Sequence, residues 1–213
     1  MFRNSEAILQ NLADELCPQT IKLEPPVTLY HDFLTTELQA KLWQEVLLCP
    51  LEQIQVKVFG KQHYIPRQQL WMADDGCDYQ YSSQRIAPYP WTPRLLELRQ
   101  QLLQQLNIDC NSVLINHYRD GHDCMGWHSD NEPELDEDTA IVSVSLGATR
   151  DFFVRHKETK ANYSYALSAG DVLVMAAGMQ SIWQHSLPKR LKIKESRINL
   201  TFRKITPYYY SPS

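Results

Sequence analysis

The second half of the chain is a series of short apolar or alternating runs, and this feature limits the possible fold more than any other. After Asn107 the runs are separated by Gly, Asp, Asn and Pro, which commonly end strands. The runs are SVLINHY, AIVSVSLG, DFFVRHK, YSYALSAGDVLVMA, SIWQHSL and RINLTFRKI. Closely spaced short strands are typical of an antiparallel barrel or a jelly roll, which we therefore predict.

Two amphipathic helices are predicted before these strands. The first covers residues 36–48, with Thr36 as N-cap and Gln39 completing a capping box. Its apolar face consists of Leu38, Leu42, Val46 and Leu47. The second begins with Pro93 at its first helical position. Between the helices, IQVKVFGKQHYIPRQQLWMA predicts a hairpin that turns near Gly60.

Composition indicates an ordinary soluble protein and excludes several other classes. The chain has 213 residues, enough to bury one full core without disulfides. The N-terminus lacks the pattern of a signal peptide, and no apolar run approaches the roughly 20 residues of a membrane span. The five cysteines are scattered and include no C-x-x-C pair. We therefore expect an intracellular protein with reduced thiols and no membrane association.

The stretch MGWHSDNEP contains the residues best suited to hold a metal ion. His128 and Asp130 are two residues apart, so on an extended backbone both side chains point to the same side. His185, at the end of a later predicted strand, is the candidate third ligand. Two His and one carboxylate are typical of non-haem Fe(II) oxygenases and leave coordination positions open, whereas a structural zinc site has four protein ligands. The alternative is that these His are surface or capping side chains.

The last predicted strand, SRINLTFRKI, has one polar and one apolar face. The polar face carries Arg197, Asn199, Thr201 and Arg203. Six residues of strand separate the two arginine Cα atoms by about 20 Å, which leaves room for a small dicarboxylate between the guanidinium groups. Arg suits this task because its planar group binds carboxylates through two hydrogen bonds. Asn116 and Tyr118 could add donors from a neighbouring strand, and an exposed polar face is the alternative interpretation.

Three segments together resemble the AlkB family of Fe(II)- and 2-oxoglutarate-dependent dioxygenases, over about residues 55–205. The segments are LINHYRDGHDCMGWHSDNE, SVSLGATRDFFVRHK and HSLPKRLKIKESRINLTFRKI. The resemblance implies an α+β fold, with a double-stranded β-helix (jelly roll), flanking N-terminal helices and a nucleotide-recognition lid of hairpins. It also implies an extension and helix in residues 1–54, the lid and a finger hairpin in 55–91, and the catalytic core in 92–213.

The same resemblance implies the cofactors and their ligands. His128, Asp130 and His185 would bind Fe(II), and 2-oxoglutarate and O2 would be co-substrates. The residues implied for 2-oxoglutarate are Asn116, Tyr118, Arg197, Thr201 and Arg203. We assign Arg197 to the distal carboxylate. Spacing leaves two roles open for Arg203, a second contact to that carboxylate or support near the metal.

The implied substrate is DNA that carries 1-methyladenine or 3-methylcytosine, demethylated with release of formaldehyde. A base inside a duplex must be flipped out to reach such a site. The implied substrate-binding residues are Phe59, Gly60, Lys61, Arg67, Tyr79, Gln80, Tyr81, Asn131 and Glu132. Phe59 would replace the flipped base in the stack, which favours duplex DNA. Core packing for Phe59, hairpin packing for Tyr81 and a solvated loop for Glu132 are the alternatives.

Several expectations concern partners and competing functions. Candidate phosphate contacts are Arg155, His156, Lys189, Arg190 and Lys192, although the net charge of −4 does not favour nucleic acid. The same chemistry on RNA or single strands, a binding module without turnover, and a hydroxylase of proteins or small molecules are the alternatives. We expect a monomer, nuclear if the source is eukaryotic and cytoplasmic if it is bacterial.

Overall fold

Two antiparallel β-sheets dominate the computed structural model, which describes residues 24–58, 60–81 and 84–210. The strands are β1 (Val27–Tyr30), β2 (Gln55–Val58), β3 (Lys61–Tyr64), β4 (Gln68–Ala73), β5 (Tyr79–Tyr81), β6 (Gln84–Ile86), β7 (Ser112–Tyr118), β8 (Met125–His128), β9 (Ile141–Gly147), β10 (Arg150–His156), β11 (Asn162–Leu167), β12 (Val172–Met175), β13 (Trp183–Leu187) and β14 (Arg197–Arg203). The helices are α1 (Thr36–Leu47), α2 (Pro93–Leu106) and the short α3 (Met179–Ile182).

The two main sheets confirm the predicted jelly roll. The larger sheet has the strand order β1-β12-β9-β14-β7-β4, and the smaller has the order β11-β10-β13-β8. Two hairpins, β2–β3 and β5–β6, form separate two-stranded sheets. The first hairpin turns at Gly60, whose φ of +80° is readily adopted by glycine, as the sequence predicted. Strand β1 was not predicted from the sequence, and β4 was not recognised as a strand of the large sheet.

The apolar face of β14 explains how the helices attach to the large sheet. The main core cluster includes Leu42 and Val46 of α1, Leu95, Leu98 and Leu102 of α2, and Ile198, Leu200 and Phe202 of β14. Because side chains alternate along a strand, burying this face turns the polar face of β14 towards the interior of the jelly roll. The polar face is therefore buried as well, and the alternative of an exposed polar face is wrong.

The start of α1 differs by one residue from the prediction. Thr35, not Thr36, is the N-cap, and its Oγ1 accepts a hydrogen bond of 3.3 Å from the Leu38 N–H. Gln39 does not close a capping box, since its Nε2 donates to the Leu34 carbonyl at 2.8 Å. Thr35 and Thr36 are equally suited to capping by residue type, so residue type alone does not indicate which of them begins the helix. Leu47, predicted to be on the apolar face, is 45% exposed.

Helix α2 begins at Pro93 as predicted. Asn107 ends the helix in the left-handed conformation, with φ of +55°. In the part of the chain that the structure describes, no helix has the length and apolar character needed to cross a membrane.

The cysteines in the described residues are free thiols, as predicted. These are Cys49, Cys77, Cys110 and Cys124. Burial raises the pKa of the Cys77 thiol to about 11 and that of Cys110 to about 12, so both are protonated and unreactive at neutral pH. Cys17 lies outside the described residues.

Candidate active site

The pairing of β8 with β13 brings the two candidate histidine ligands together. His128 and His185 are direct cross-strand partners, and their ring centroids lie 4.2 Å apart. Asp130 follows β8, and its Oδ1 is 3.5 Å from His128 Nε2 and 3.9 Å from His185 Nε2. All three ligand atoms lie within 4.8 Å of one another. The backbone therefore places the two imidazoles and the carboxylate around one point that could hold a metal ion.

The charge states of Asp130 and His185 suit metal binding. Burial alone would raise the pKa of Asp130, but Arg203, His185 and His128 outweigh it and hold the pKa below its usual value. Burial and the neighbouring His128 lower the pKa of His185 to about 3, so its imidazole is neutral at physiological pH. His128 Nδ1 lies 2.9 Å from the Gly126 carbonyl, to which it can donate, leaving Nε2 free to face Asp130.

Arg203 lies at the metal end of β14. Its Nη2 is 2.9 Å from Asp130 Oδ2, and both side chains are 3% exposed. The geometry resolves the role that spacing had left open for Arg203, since its guanidinium contacts the candidate metal ligand. The hydrogen bond occupies Oδ2 of Asp130, so Oδ1 faces the two histidines.

Arg197 lies at the other end of β14 and has a different environment. It is 1% exposed, and its Nη2 donates to Ser145 Oγ and to Asn199 Oδ1, both at 2.8 Å. Among the described residues no carboxylate forms an ion pair with it, and its Nε has no hydrogen-bond partner. Burial lowers the pKa of Arg197 to about 10, which keeps it charged at neutral pH. A buried cation of this kind calls for an external anion.

One cavity connects the candidate metal ligands with the arginine. Its walls include His128, Asp130, His185, Asn116, Tyr118, Arg197, Asn199, Thr201 and Arg203. Asn116 and Tyr118 face it because β7 pairs with β14, so that Tyr118 lies opposite Arg197 and Asn116 opposite Asn199. The Tyr118 ring centre is 5.6 Å from the Arg197 guanidinium. The structure thus brings together all the residues predicted for the metal and for 2-oxoglutarate.

Sequence reasoning missed several polar residues of this cavity. Ser143 of β9 lines it, and Ser143 Oγ donates to Asn199 Oδ1 at 2.8 Å. Ser145, two residues further along β9, accepts a hydrogen bond from the Arg197 guanidinium. Asn199 in turn donates through Nδ2 to Thr201 Oγ1 at 2.7 Å, so these side chains orient one another. The alternating serines of IVSVSLG were the available signal, because a buried strand with serine at every second position needs a polar surface to face.

Three of the predicted substrate-binding residues, Arg67, Asn131 and Glu132, lie close to the cavity. Arg67 is 4% exposed, and its Nε donates to Asn116 Oδ1 at 2.8 Å, so it reaches towards the cavity and not towards solvent. Asn131 is exposed, and Glu132 Oε1 is 3.9 Å from Arg203 Nη1. Both follow Asp130 directly, at the rim of the candidate metal site.

The finger and lid residues are described only in part. Gly60 forms the hairpin turn and Lys61 is exposed beside it. Phe59 lies outside the described residues. The backbone of Tyr79, Gln80 and Tyr81 forms strand β5, while their side chains lie outside the described part.

The residues predicted to contact phosphates have different environments in the structure. His156 is 6% exposed, its Nδ1 accepts hydrogen bonds from the backbone of the following turn, and its ring packs on Trp183. The alternation along β10 turns it into the core, so the prediction for His156 is wrong. Arg190 Nε is paired with Asp151 at 2.6 Å. Arg155 lies over the Trp127 ring at 4.1 Å, and Lys189 and Lys192 are exposed.

Comparison with known families agrees with this geometry. The sequence model of the 2OG-Fe(II) oxygenase superfamily matches residues 26–203, most of the chain. The chain therefore belongs to the 2OG-Fe(II) oxygenase superfamily. Membership implies Fe(II) as the metal, with 2-oxoglutarate and O2 as co-substrates. The arrangement of His128, Asp130, His185 and the unpaired Arg197 fits both groups.

Named relatives place the chain in the AlkB family, on its eukaryotic branch. It is 41% identical over 160 residues to the DNA oxidative demethylase ALKBH2 of Bos taurus, covering 71% of this chain and 58% of the relative. The human protein of that name is 42% identical over 158 residues, 70% of this chain and 60% of the relative. The alpha-ketoglutarate-dependent dioxygenase alkB homolog 3 of Rattus norvegicus is 38% identical over 152 residues, 67% and 51%. The chain thus spans somewhat over half the length of these relatives.

A solved structure, that of OsALKBH1, shares the fold. The TM-score is 0.62 at 18% identity, and the match covers 85% of this chain and 99% of that chain. This likeness supports the jelly-roll architecture independently of the sequence relatives.

Proposed function

We propose that this protein is an oxidative demethylase that repairs 1-methyladenine and 3-methylcytosine in DNA, with release of formaldehyde. The observation that carries the proposal is the single cavity that joins the His128–Asp130–His185 cluster to the buried Arg197 without a carboxylate partner among the described residues. A metal ion and a dicarboxylate fit its two ends. The relatives named DNA oxidative demethylase ALKBH2 support DNA as the substrate.

The residues predicted for the metal and for 2-oxoglutarate each have a role in this proposal. His128, Asp130 and His185 bind Fe(II), and Arg203 keeps Asp130 ionised and oriented. Arg197 binds the distal carboxylate of 2-oxoglutarate, with Asn116, Tyr118 and Thr201 around it. Iron and 2-oxoglutarate bound here would supply the oxidising chemistry, with O2, that hydroxylates the N-methyl carbon, and the resulting hydroxymethyl group would be released as formaldehyde. The protein contributes mainly positioning of the methyl group and exclusion of water.

The hairpins before the core are proposed to hold the DNA. In this proposal the β2–β3 hairpin is a finger whose Phe59 replaces the flipped base, with Gly60 and Lys61 close to the duplex. Arg67, which is buried against Asn116, contributes to substrate binding from the cavity side. The β5–β6 hairpin is a lid, and Tyr81 stacks on the flipped base opposite His128, flanked by Tyr79 and Gln80. Asn131 and Glu132, beside the metal, read the base edge. The two hairpins form two-stranded sheets separate from the two main sheets, which supports this arrangement.

The remaining expectations follow from the same proposal. The division into an extension (1–54), a lid and finger region (55–91) and a catalytic core (92–213) is functional, with all three parts serving one active site. We propose that the protein acts as a monomer inside the cell on duplex DNA, in the nucleus of a eukaryote or the cytoplasm of a bacterium.

The decisive experiment measures formaldehyde release from a methylated oligonucleotide, supplied as duplex and as single strand, with Fe(II), ascorbate and 2-oxoglutarate. We expect turnover that is abolished by Asp130→Ala and retained by Asp138→Ala, a matched change at an exposed acid of the same loop. Turnover on RNA alone would indicate that RNA, and not DNA, is the substrate. No turnover on any nucleic acid, with 2-oxoglutarate still bound, would overturn the proposal in favour of a protein or small-molecule substrate.

The finger is tested separately. Phe59→Ala should reduce turnover on duplex DNA by about 10-fold or more and leave single-strand turnover within about twofold, because only a duplex has a gap to fill. Lys61→Ala, next to the turn, is the comparison for loss of charge alone. An equal loss on both substrates would remove the finger role from Phe59.

A further inference from the structure

We infer that Gln180 is a positioning residue for the metal, which fixes the loop of Asp130 against the segment that carries His185. Its Oε1 accepts a hydrogen bond of 3.0 Å from the Asp130 N–H. Gln180 belongs to α3, which leads directly into β13 and His185. The hydrogen bond therefore links the backbone of Asp130 to the segment that carries His185, another of the three candidate metal ligands. The inference rests on the proposed metal site.

A neighbouring contact strengthens the same connection. Ser129 Oγ donates to the Trp183 carbonyl at 2.9 Å, so two consecutive loop residues, Ser129 and Asp130, are tied to the α3–β13 segment. Strand pairing alone aligns His128 with His185, but it ends before Asp130. The two side-chain hydrogen bonds continue the alignment beyond the end of β8.

Gln180 is itself held in a defined orientation. Its Nε2 lies 3.5 Å from Met175 Sδ, and its backbone carbonyl accepts from Lys157 Nζ at 2.8 Å. Because the amide nitrogen faces a sulfur atom, Oε1 is directed to Asp130. Two residues thus hold Asp130 in place, because Gln180 fixes its backbone and Arg203 fixes its carboxylate.

Metal affinity is sensitive to such contacts. Partners that orient ligands typically change metal affinity by about 10- to 100-fold when removed. A backbone hydrogen bond acts less directly than one to the ligand atom, so an effect near the lower end of that range is expected.

The test measures Co(II) binding to the metal-free full-length protein by calorimetry and by the visible absorption of Co(II), without 2-oxoglutarate or DNA. Gln180→Leu removes the acceptor at similar size and should weaken Co(II) binding about 10-fold and change the Co(II) spectrum. Gln180→Glu keeps an acceptor oxygen and should restore the affinity to within about threefold. Ser181→Ala, at an exposed residue of the same helix, is the control and should bind as the unmodified protein does.

Co(II) affinity of Gln180→Leu equal to that of the unmodified protein would overturn the inference, and so would equal weakening by Leu and Glu, which would indicate packing alone. If the Leu variant does not fold, Gln180→Asn decides, because its shorter amide cannot reach the Asp130 N–H. Weak Co(II) binding with an unchanged Tm supports the inference, and unchanged binding refutes it. Since no DNA is present, failure of the demethylase proposal would leave this result intact.

Discussion

Arg197 and Arg203 are the same residue type on the same face of the same strand, yet they have opposite electrostatic environments. Both are almost completely buried. Arg203 contacts the carboxylate of Asp130 at 2.9 Å, whereas within the described residues the Arg197 guanidinium donates to the neutral groups Ser145 Oγ and Asn199 Oδ1. Burial is therefore a poor guide to role, and the partner is the better one. Arg203 completes an internal ion pair, while Arg197 has its charge available for a ligand.

The largest expected effect is that of Arg203→Met, which leaves Asp130 buried without its partner. Breaking a buried ion pair in this way costs about 3–5 kcal/mol, so the free energy of unfolding should fall by that amount in urea denaturation. Mn(II) binding should weaken by roughly 100-fold, since the carboxylate loses its orientation. Arg203→Lys keeps the charge and should therefore lower both the free energy of unfolding and the Mn(II) affinity by less. Unchanged stability would mean that the ion pair contributes nothing.

Arg197→Met should show the reverse pattern. Removing the unpaired guanidinium should change the free energy of unfolding of the ligand-free protein by less than about 1 kcal/mol, because no internal ion pair is broken. Affinity for 2-oxoglutarate should fall by about 100-fold, since an ion pair with the ligand is lost. Titration calorimetry with the Mn(II)-loaded protein measures the affinity. A stability loss as large as that of Arg203→Met would refute the contrast.

Asn199→Asp should make Arg197 resemble Arg203. The new carboxylate would occupy the position of Asn199 Oδ1, which already accepts from Arg197 Nη2 at 2.8 Å. An internal anion competes with 2-oxoglutarate, so we expect affinity to fall about 10-fold while the Tm of the ligand-free protein rises. Asn199→Ala removes the amide without adding charge and should not raise the Tm. Tighter 2-oxoglutarate binding in the Asp variant would contradict this account.

Ser145→Ala should give the smallest effect. It removes one neutral acceptor from Arg197, and a hydrogen bond of this kind contributes about 0.5–1.5 kcal/mol. The 2-oxoglutarate affinity should therefore fall about threefold, with no change in Mn(II) binding. Ser143→Ala, two residues earlier on the same strand, is a useful comparison because Ser143 is hydrogen-bonded to Asn199 and not to Arg197. A large loss of metal affinity in either variant would show that the two ends of the site do not act independently.

Much of this site is readable in the sequence because strand periodicity is strict. The alternation in RINLTFR predicts the shared face of Arg197 and Arg203, and the spacing in HSD predicts that His128 and Asp130 point the same way. Spacing along one strand does not indicate which end meets a loop from elsewhere, so the partner of Arg203 required the fold. The same limit explains His156, whose basic character suggested phosphate binding while the register of β10 buries it.

Short or edge elements were the least predictable. Strand β1 has the sequence VTLY, too short for a pattern, and β4 follows a hairpin closely enough to be read as part of it. Gln180 carries no signal, because a helix as short as α3 has no periodicity and its contact with Asp130 is made across the fold.

The position of β14 between β7 and β9 has a consequence for how the ligand-free protein opens. Its backbone is hydrogen-bonded on both sides, whereas β8, which carries His128, is an edge strand of the smaller sheet. Amide hydrogens of β14 should exchange with solvent only through global unfolding, and those of β8 through local fraying. The strand that carries the arginines would then persist while the strand that carries His128 opens and closes.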